Sequence, residues 1–307
     1  MLYHFLKSRT LAIFAILLAV ALCFFISLAG QVPLWAYLAC ALPLAVNLLF
    51  CLYHQLCSRR VLGLARWSFW LSHLALLCIL AGGMSSYATR SAGYVRLSQG
   101  QSLLDAPENY EQWQERYLPR SGTGIEITLL EVQTVYWPNG KLKDYANILT
   151  IRPREGAPFL ARLEANTPLN YSGLSISVTR QHGDAVFLTY LSANGTSRDG
   201  IVHVPQEKKE ESFAIPGTAI TGVLRRIEPA APVFHLTMSS AGKTLKARTV
   251  GAGTVLVMDE AMLEVEQVIP WSGLAVVYDP WRFLVYGGFL LFLVTTLIYY
   301  WFRLREQ

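Results

Sequence analysis

Trp67-Ser68-Phe69-Trp70-Leu71-Ser72-His73-Leu74-Ala75-Leu76-Leu77-Cys78-Ile79-Leu80-Ala81-Gly82-Gly83 is an apolar run that contains one histidine and no other side chain that is commonly charged. It continues to Tyr87, and about 20 such residues suffice to cross a bilayer as a helix. Thr10 to Leu28, Pro33 to Tyr53 and Trp281 to Phe302 read the same way. The sequence therefore predicts an α+β membrane protein with four transmembrane helices. Residues 1-88 hold three of them (about 10-28, 33-53 and 67-87), and 280-307 hold the fourth with a short tail. The first run ends in the small residues Leu28-Ala29-Gly30, as a cleaved signal peptide does, but it is long and another span follows almost at once.

Charge gives the direction. Lys7 and Arg9 precede the first span, Arg59, Arg60 and Arg66 fill the loop before the third, and Arg303 and Arg305 follow the fourth. The loop at Gly30 to Val32 is uncharged. Basic loops face the cytoplasm, so both termini are expected inside and residues 89-279 outside, in the periplasm or its equivalent beyond a bacterial inner membrane. Arg90, Arg96 and Arg282 are mild exceptions.

The chain is 53% hydrophobic and only 15% charged, with a net charge of +5. Acidic residues are absent before Asp105, and only Glu306 follows Asp279. The 89-279 segment is thus composed like a water-soluble domain, and the positive excess belongs to the membrane-flanking ends, which excludes a nucleic-acid footprint. All five cysteines (Cys23, Cys40, Cys51, Cys57 and Cys78) lie before this segment, with no CxxC pair. The domain has no disulfide framework, and thiol–disulfide chemistry is not expected.

From Gly93 the pattern changes to short β-type runs. Gly124 to Trp137 and Tyr145 to Ile151 flank Pro138-Asn139-Gly140, a strong hairpin signal. Leu174 to Thr179 alternates apolar and polar, and Asp184 to Leu191 runs to a turn at Asn194-Gly195. Further strands are expected at Gly200 to Pro205, Ala219 to Ile227, Val233 to Met238, Thr244 to Val250 and Met262 to Val268. About ten antiparallel strands in a sandwich or open barrel are predicted, with a short helix within Asp105 to Pro119. No nucleophile elbow, HExxH or metal-ligand spacing is present. His182, His203 and His235 are isolated and read as surface or satisfied core residues.

His73 stands apart. An ionisable group inside a span is costly and marks function by default. It lies six residues into its span, roughly 9 Å deep on the cytoplasmic side. One reading is a structural hydrogen bond to Ser72 or to a neighbouring helix. The other is an axial ligand for haem iron, since a neutral imidazole in an apolar setting suits that role. Arg66, seven residues earlier on nearly the same face, is then a partner for a haem propionate, with Trp70 one turn away. The spans contain no acidic residue, which disfavours an ion-coupled transporter. Gly82-Gly83 and Gly287-Gly288 are candidates for close helix packing with each other or with a partner.

Several segments resemble the ResB/CcsB family, the cytochrome c biogenesis proteins of system II. Ser72 to Gly83 is similar to the family's third span, with its histidine and Leu-rich run. Gly93-Tyr94-Val95-Arg96-Leu97-Ser98-Gln99-Gly100 resembles the strand that follows it. Val135 to Gly140 through Asp144-Tyr145 resembles its hairpin, Pro168-Leu169-Asn170-Tyr171-Ser172-Gly173 its Pro-Leu-x-Tyr-x-Gly element, and Asp279-Pro280 its entry to the last span. The resemblance covers most of the chain in layout and is weak between Arg198 and Val268. It implies a β-rich domain between helices 3 and 4. It also implies a CcsA/ResC-like multi-span partner that carries a Trp-rich haem-handling motif and its own histidines. Together the two subunits would deliver haem outward and attach it to apocytochrome c. The family's third-span histidine, an inner haem-iron ligand, maps onto His73. A Trp-Trp-Asp motif and an outer histidine pair are missing here. By this reading the chain is a subunit of a haem lyase complex with an incomplete site of its own, and no catalytic residue is assigned to it. The alternative is a non-enzymatic, membrane-tethered β-domain scaffold or envelope assembly factor. A CcsA-like gene neighbour would favour the first reading, and secretion or cell-wall neighbours the second.

Overall fold

The computed structural model describes residues 13, 14, 17, 18, 21, 33–57, 64–138, 142–192, 194–207, 210–227, 231–258 and 261–305. Most of the first expected span, about 10-28, falls outside them, as do Arg59 and Arg60. Three helices are long and apolar enough to cross a membrane, with candidate spans Leu34–His54, Trp67–Thr89 and Arg282–Phe302. They belong to α1 (Leu34–Cys57), α2 (Leu64–Thr89) and α3 (Arg282–Arg305). In chain order a large β-rich domain follows α2 and precedes α3. The chain divides into two compact units.

The first unit takes in the helices together with Glu115–Arg120 and Tyr278 onward. α2 and α3 pack through small residues. Ala75 is fully buried, and a β-carbon on Gly82 would come within 2.9 Å of Val285 Cγ2. One on Gly288 would lie 2.7 Å from Ile79 Cγ1 and 3.1 Å from the Ala75 carbonyl oxygen. Gly83 and Gly287 meet nothing within 4 Å, so each Gly-Gly pair gives one member to this seam. Hydroxyls in the helices bond back to carbonyls one turn earlier, Thr89 to Ser85 at 2.8 Å and Thr295 to Leu291 at 2.7 Å, as apolar surroundings require. Ser86 Oγ donates to Asp279 Oδ2 at 2.7 Å, tying the end of α2 to the entry of α3. The Glu115–Arg120 segment straps the end of α2: Tyr117 N and Leu118 N both donate to Ala88 O, at 3.3 and 3.1 Å. The Tyr117 ring lies 5.6 Å from Tyr87, and Tyr87 lies 3.9 Å from Tyr37 of α1.

The β domain begins with β1 (Ser91–Ser98), β2 (Ser102–Leu104), a single 3-10 turn at Pro107–Asn109 and β3 (Gln112–Glu115). The helix expected within Asp105 to Pro119 is thus one 3-10 turn followed by a strand. Then come β4 (Glu126–Tyr136), β5 (Leu142–Arg152), β6 (Phe159–Glu164), β7 (Leu169–Tyr171), β8 (Leu174–Ser192), β9 (Ser197–Pro205), β10 (Glu210–Ala214) and β11 (Ile220–Arg226). β12 (Phe234–Ser240), β13 (Lys243–Val250), β14 (Thr254–Met258) and β15 (Ala261–Tyr278) complete it. About ten strands were expected, and fifteen are present among the described residues. The excess lies in short or edge strands, such as β2 and β7, that are too brief to show an alternating pattern.

Among the described residues the strands form three sheets. One has seven strands, along the path β3-β1-β15-β8-β7 with β14 on β15 and β9 on β8; the other two run β10-β11-β12-β13 and β2-β4-β5-β6. The expected hairpin is the antiparallel pair β4–β5, with Glu126 opposite Arg152 and Tyr136 opposite Leu142; Asn139 and Gly140 of its turn lie outside the described residues. The Tyr171-Ser172-Gly173-Leu174 stretch is a tight turn between β7 and β8, with positive φ at Ser172 (48°) and Gly173 (82°). Glycine carries such an angle without a steric cost, which accounts for it there.

Two strands run longer than their patterns indicate. The separate expectations at 174–179 and 184–191 merge into β8, which passes through the polar stretch Arg180-Gln181-His182-Gly183. The strand expected to stop at Val268 continues through Pro270 to Tyr278. The Pro270 carbonyl accepts from Gln99 N at 2.8 Å, so the backbone there stays paired although proline offers no N–H.

The smaller sheets bury apolar faces against the large one. Val186, Leu188, Val202 and Leu263 share a core with Leu224, Phe234, Leu236 and Met238. On the other side, fully buried Asn147 of β5 donates to fully buried Ser272 of β15 at 2.6 Å.

Candidate functional site

His73 lies on α2, and its ring is half-buried. Nδ1 is 2.9 Å from the carbonyl oxygen of Phe69, one turn earlier. A carbonyl only accepts, so Nδ1 carries the proton and donates. The tautomer is therefore fixed, and the lone pair resides on Nε2. Nε2 has no hydrogen-bond partner among the described residues. The Phe69 ring lies against the imidazole, 4.0 Å between centroids and tilted by 36°. Ser72 Oγ donates to the same Phe69 carbonyl at 2.8 Å. The structural bond expected from His73 is thus made within its own helix and leaves the second ring nitrogen open.

The helical screw separates His73 from the α3 seam. Ala75, Ile79 and Gly82 form that seam, and His73 precedes Ala75 by two positions, about 200° around the helix. Arg66 falls on nearly the same face as His73, about 10 Å along the axis. α2 includes Arg66, but its side chain lies outside the described residues. Trp70 is within one turn of His73. Its indole Nε1 is buried without a partner among the described residues, and its ring lies 6.1 Å from Trp67. Trp67, Leu71 and Leu74 are exposed along the remaining side of this part of the helix.

The β domain departs from expectation at its histidines. His235 is exposed, as expected of a surface residue. His182 and His203 are not satisfied: each keeps a buried Nε2 with no partner among the described residues. Burial lowers the pKa of both, that of His203 to about 4, with the nearby Arg96 guanidinium adding to the effect. His203 meets fully buried Trp271 edge-on at 5.2 Å. Beside His182, Arg226 of β11 forms a buried ion pair with Asp184 of β8. The signal for this cluster is in the sequence: Arg180-Gln181-His182-Gly183-Asp184 interrupts an otherwise regular alternation. Among the described residues no three His, Cys, Asp or Glu side chains gather as metal ligands.

Comparison with known proteins gives three findings. No curated protein matches. A solved structure described as Cytochrome c Heme Lyase CcmF is similar at a TM-score of 0.36 and 12% identity, over 93% of this chain and 34% of that one. The chain thus spans about a third of that protein's length, and a likeness at this level carries no argument. The family model described as ResB-like family matches residues 63–265, from the start of α2 into β15. The chain belongs to the ResB-like family.

Proposed function

We propose that this chain is the haem-handling subunit of a system II cytochrome c synthase. It works with a CcsA/ResC-like partner to deliver haem across a bacterial inner membrane and attach it to apocytochrome c. In this reading the termini are cytoplasmic, the segment at about 10-28 is a fourth span, and the β domain is extracytoplasmic.

The observation that carries the reading is the His73 hydrogen bond. A ligand to haem iron must offer a neutral nitrogen lone pair, oriented by a second bond on the other ring nitrogen. Nδ1–H to the Phe69 carbonyl supplies that bond and leaves Nε2 as the donor atom. The donor chemistry therefore fits iron porphyrin. It is one imidazole on one helix, so the rest of a haem site would have to come from elsewhere in the complex. Haem is the cargo here. His73 would hold its iron through Nε2, and the Arg66 guanidinium would pair with a propionate.

This chain's own contribution is positional. Phe69 fixes the imidazole rotamer through its carbonyl and its ring. The α2–α3 seam leaves the His73 face of α2 turned away from α3. Transfer to the CxxCH cysteines of the client needs groups that this chain lacks, which assigns that step to the complex.

The test is the absorbance of the purified two-subunit complex. His73→Ala is expected to remove most of the haem band and cytochrome maturation, while the complex still assembles. Unchanged haem content in that variant would refute the ligand assignment and leave the scaffold reading.

A further inference from the structure

A cleft of about 250 Å³ lies in the β domain and shares no residue with the His73 site. It runs between β9 and β10, each an edge strand of its own sheet. Its floor is apolar, formed by Leu188, Val202, Phe213, Ile215 and Leu263. The volume is that of roughly eight liquid waters at about 30 Å³ each, room for a leucine-sized group with its carboxylate.

One absent side chain opens the cleft. Val186, Leu188 and Tyr190 of β8 are paired with Val202, Gly200 and Arg198 of β9. These alternate positions share the buried side of the sheet. Gly200 places no side chain between Arg198 and Val202, and a β-carbon there would meet nothing within 4 Å. Arg198 forms the cationic end. Its guanidinium rests on Gly217, where a β-carbon would lie 2.6 Å from Nη1. It has no hydrogen bond or ion pair among the described residues, and its nitrogens keep accessible surface. The Tyr190 hydroxyl is also without a partner among the described residues and is not enclosed. Asp199 does not neutralise Arg198. It belongs to the opposite side of the strand, where it accepts from Thr189 Oγ1 at 2.8 Å.

The cleft thus offers an apolar floor, one unpaired cation and one hydroxyl. A cationic ligand would meet Arg198, and no cluster of three metal-ligating side chains exists among the described residues. A neutral apolar group would cover a partly buried guanidinium and leave it without a counter-charge. A small anion would leave the floor in water. An apolar body that ends in a carboxylate meets both needs, because the planar guanidinium receives a carboxylate on two parallel N–H groups. We infer that this cleft binds an apolar carboxylic acid, its body over the Leu188 floor and its carboxylate on Arg198 and Tyr190. A free aliphatic acid and the last residue of a polypeptide both present that chemistry.

The experiment is isothermal titration calorimetry of the full chain in detergent. Hexanoate, N-acetyl-leucine, hexanamide and acetate are titrated in turn, and non-saturable heat is assigned to the micelles. Saturable binding of hexanoate or N-acetyl-leucine, about tenfold or more tighter than that of hexanamide or acetate, is the expected result. Tighter binding of N-acetyl-leucine assigns the carboxylate to a polypeptide terminus, and tighter binding of hexanoate assigns it to a free acid. Gly200→Leu fills the cleft at a position that has open space and lies outside the left-handed region. That variant should stay folded by circular dichroism and lose binding. Arg198→Gln keeps the floor and should weaken binding about tenfold. No saturable binding, equal binding of hexanamide or acetate, or binding unaltered in either variant overturns the proposal.

Discussion

Gly288 of α3 lies against Ile79 of α2, so closely that a β-carbon on the glycine would sit 2.7 Å from the isoleucine Cγ1. The neighbouring Ala75 carbonyl and Ile79 amide nitrogen belong to backbone and cannot move aside. Overpacking of this kind costs about 1–3 kcal/mol. Gly288→Leu is therefore expected to lower the thermal midpoint of the detergent-solubilised protein by several degrees. Gly287→Leu, at a position with open space around it, should leave the midpoint nearly unchanged. Equal effects of the two substitutions would show that this seam does not hold the helices together.

If Nε2 of His73 is the haem ligand, the imidazole need not be attached to the chain. His73→Gly should lose the haem band of the complex, and added imidazole should restore it in a concentration-dependent way. The Phe69 carbonyl then orients the free ring, through the contact that now holds Nδ1 at 2.9 Å. No recovery at saturating imidazole, in a complex that still assembles, would place the histidine in a purely packing role.

Acid stability of the β domain should reflect His203. Its folded pKa of about 4 lies below the ordinary value of 6.5, so the unfolded chain takes up the proton first. Stability is then full above pH 6.5, declines as the pH falls from 6.5 to about 4, and levels below that. The ring is partly exposed, and the loss attributable to it is about 1–2 kcal/mol after allowing for screening. His182, also lowered by burial, acts in the same direction. Thermal midpoints measured from pH 7 to pH 4 should fall less steeply in His203→Gln, and a slope identical to that of the parent would refute the assignment.

Asn147 and Ser272 are both fully buried and joined by a 2.6 Å hydrogen bond. Ser272→Ala strands the Asn147 amide and should cost about 1–3 kcal/mol. Adding Asn147→Ala to it should cost less than the two single effects combined, because the stranded donor goes with it. Chemical denaturation of the four proteins measures the coupling. Strict additivity would mean that the bond contributes nothing to stability.

The helices at 34–57, 64–89 and 282–305 were legible because a lipid-crossing run must be apolar throughout, whatever surrounds it. The hairpin β4–β5 was legible for a local reason, the Asn-Gly between two β-type runs. What escaped was set by distant parts of the chain. β15 continues through Pro270 because Gln99, far away in sequence, donates to its carbonyl. β8 continues through Arg180 to Gly183 where the His182 carbonyl accepts from Gln206 N, Tyr145 stacks on the His182 ring and Gly183 pairs with Pro205 of β9. At the candidate site the histidine itself stood out as an ionisable group inside an apolar run. Its tautomer did not, since that depends on which nitrogen reaches the Phe69 carbonyl. Beside His182, the polar interruption at Arg180 to Asp184 showed in the sequence but the ion pair did not, because Asp184 and Arg226 meet only after β8 and β11 are folded together.

The position of β15 has a consequence for biosynthesis. This last strand lies in the middle of the seven-stranded sheet, between β1, the first strand, and β8. Until the ribosome has passed Tyr278, β1 and β8 are without their shared neighbour, and contacts this distant in sequence form slowly. The emerging chain therefore displays two sticky strand borders for much of its translation. Synthesis of β15 then becomes the event that lets the sheet close, and a nascent chain stalled before residue 261 should be a prime target for proteolysis.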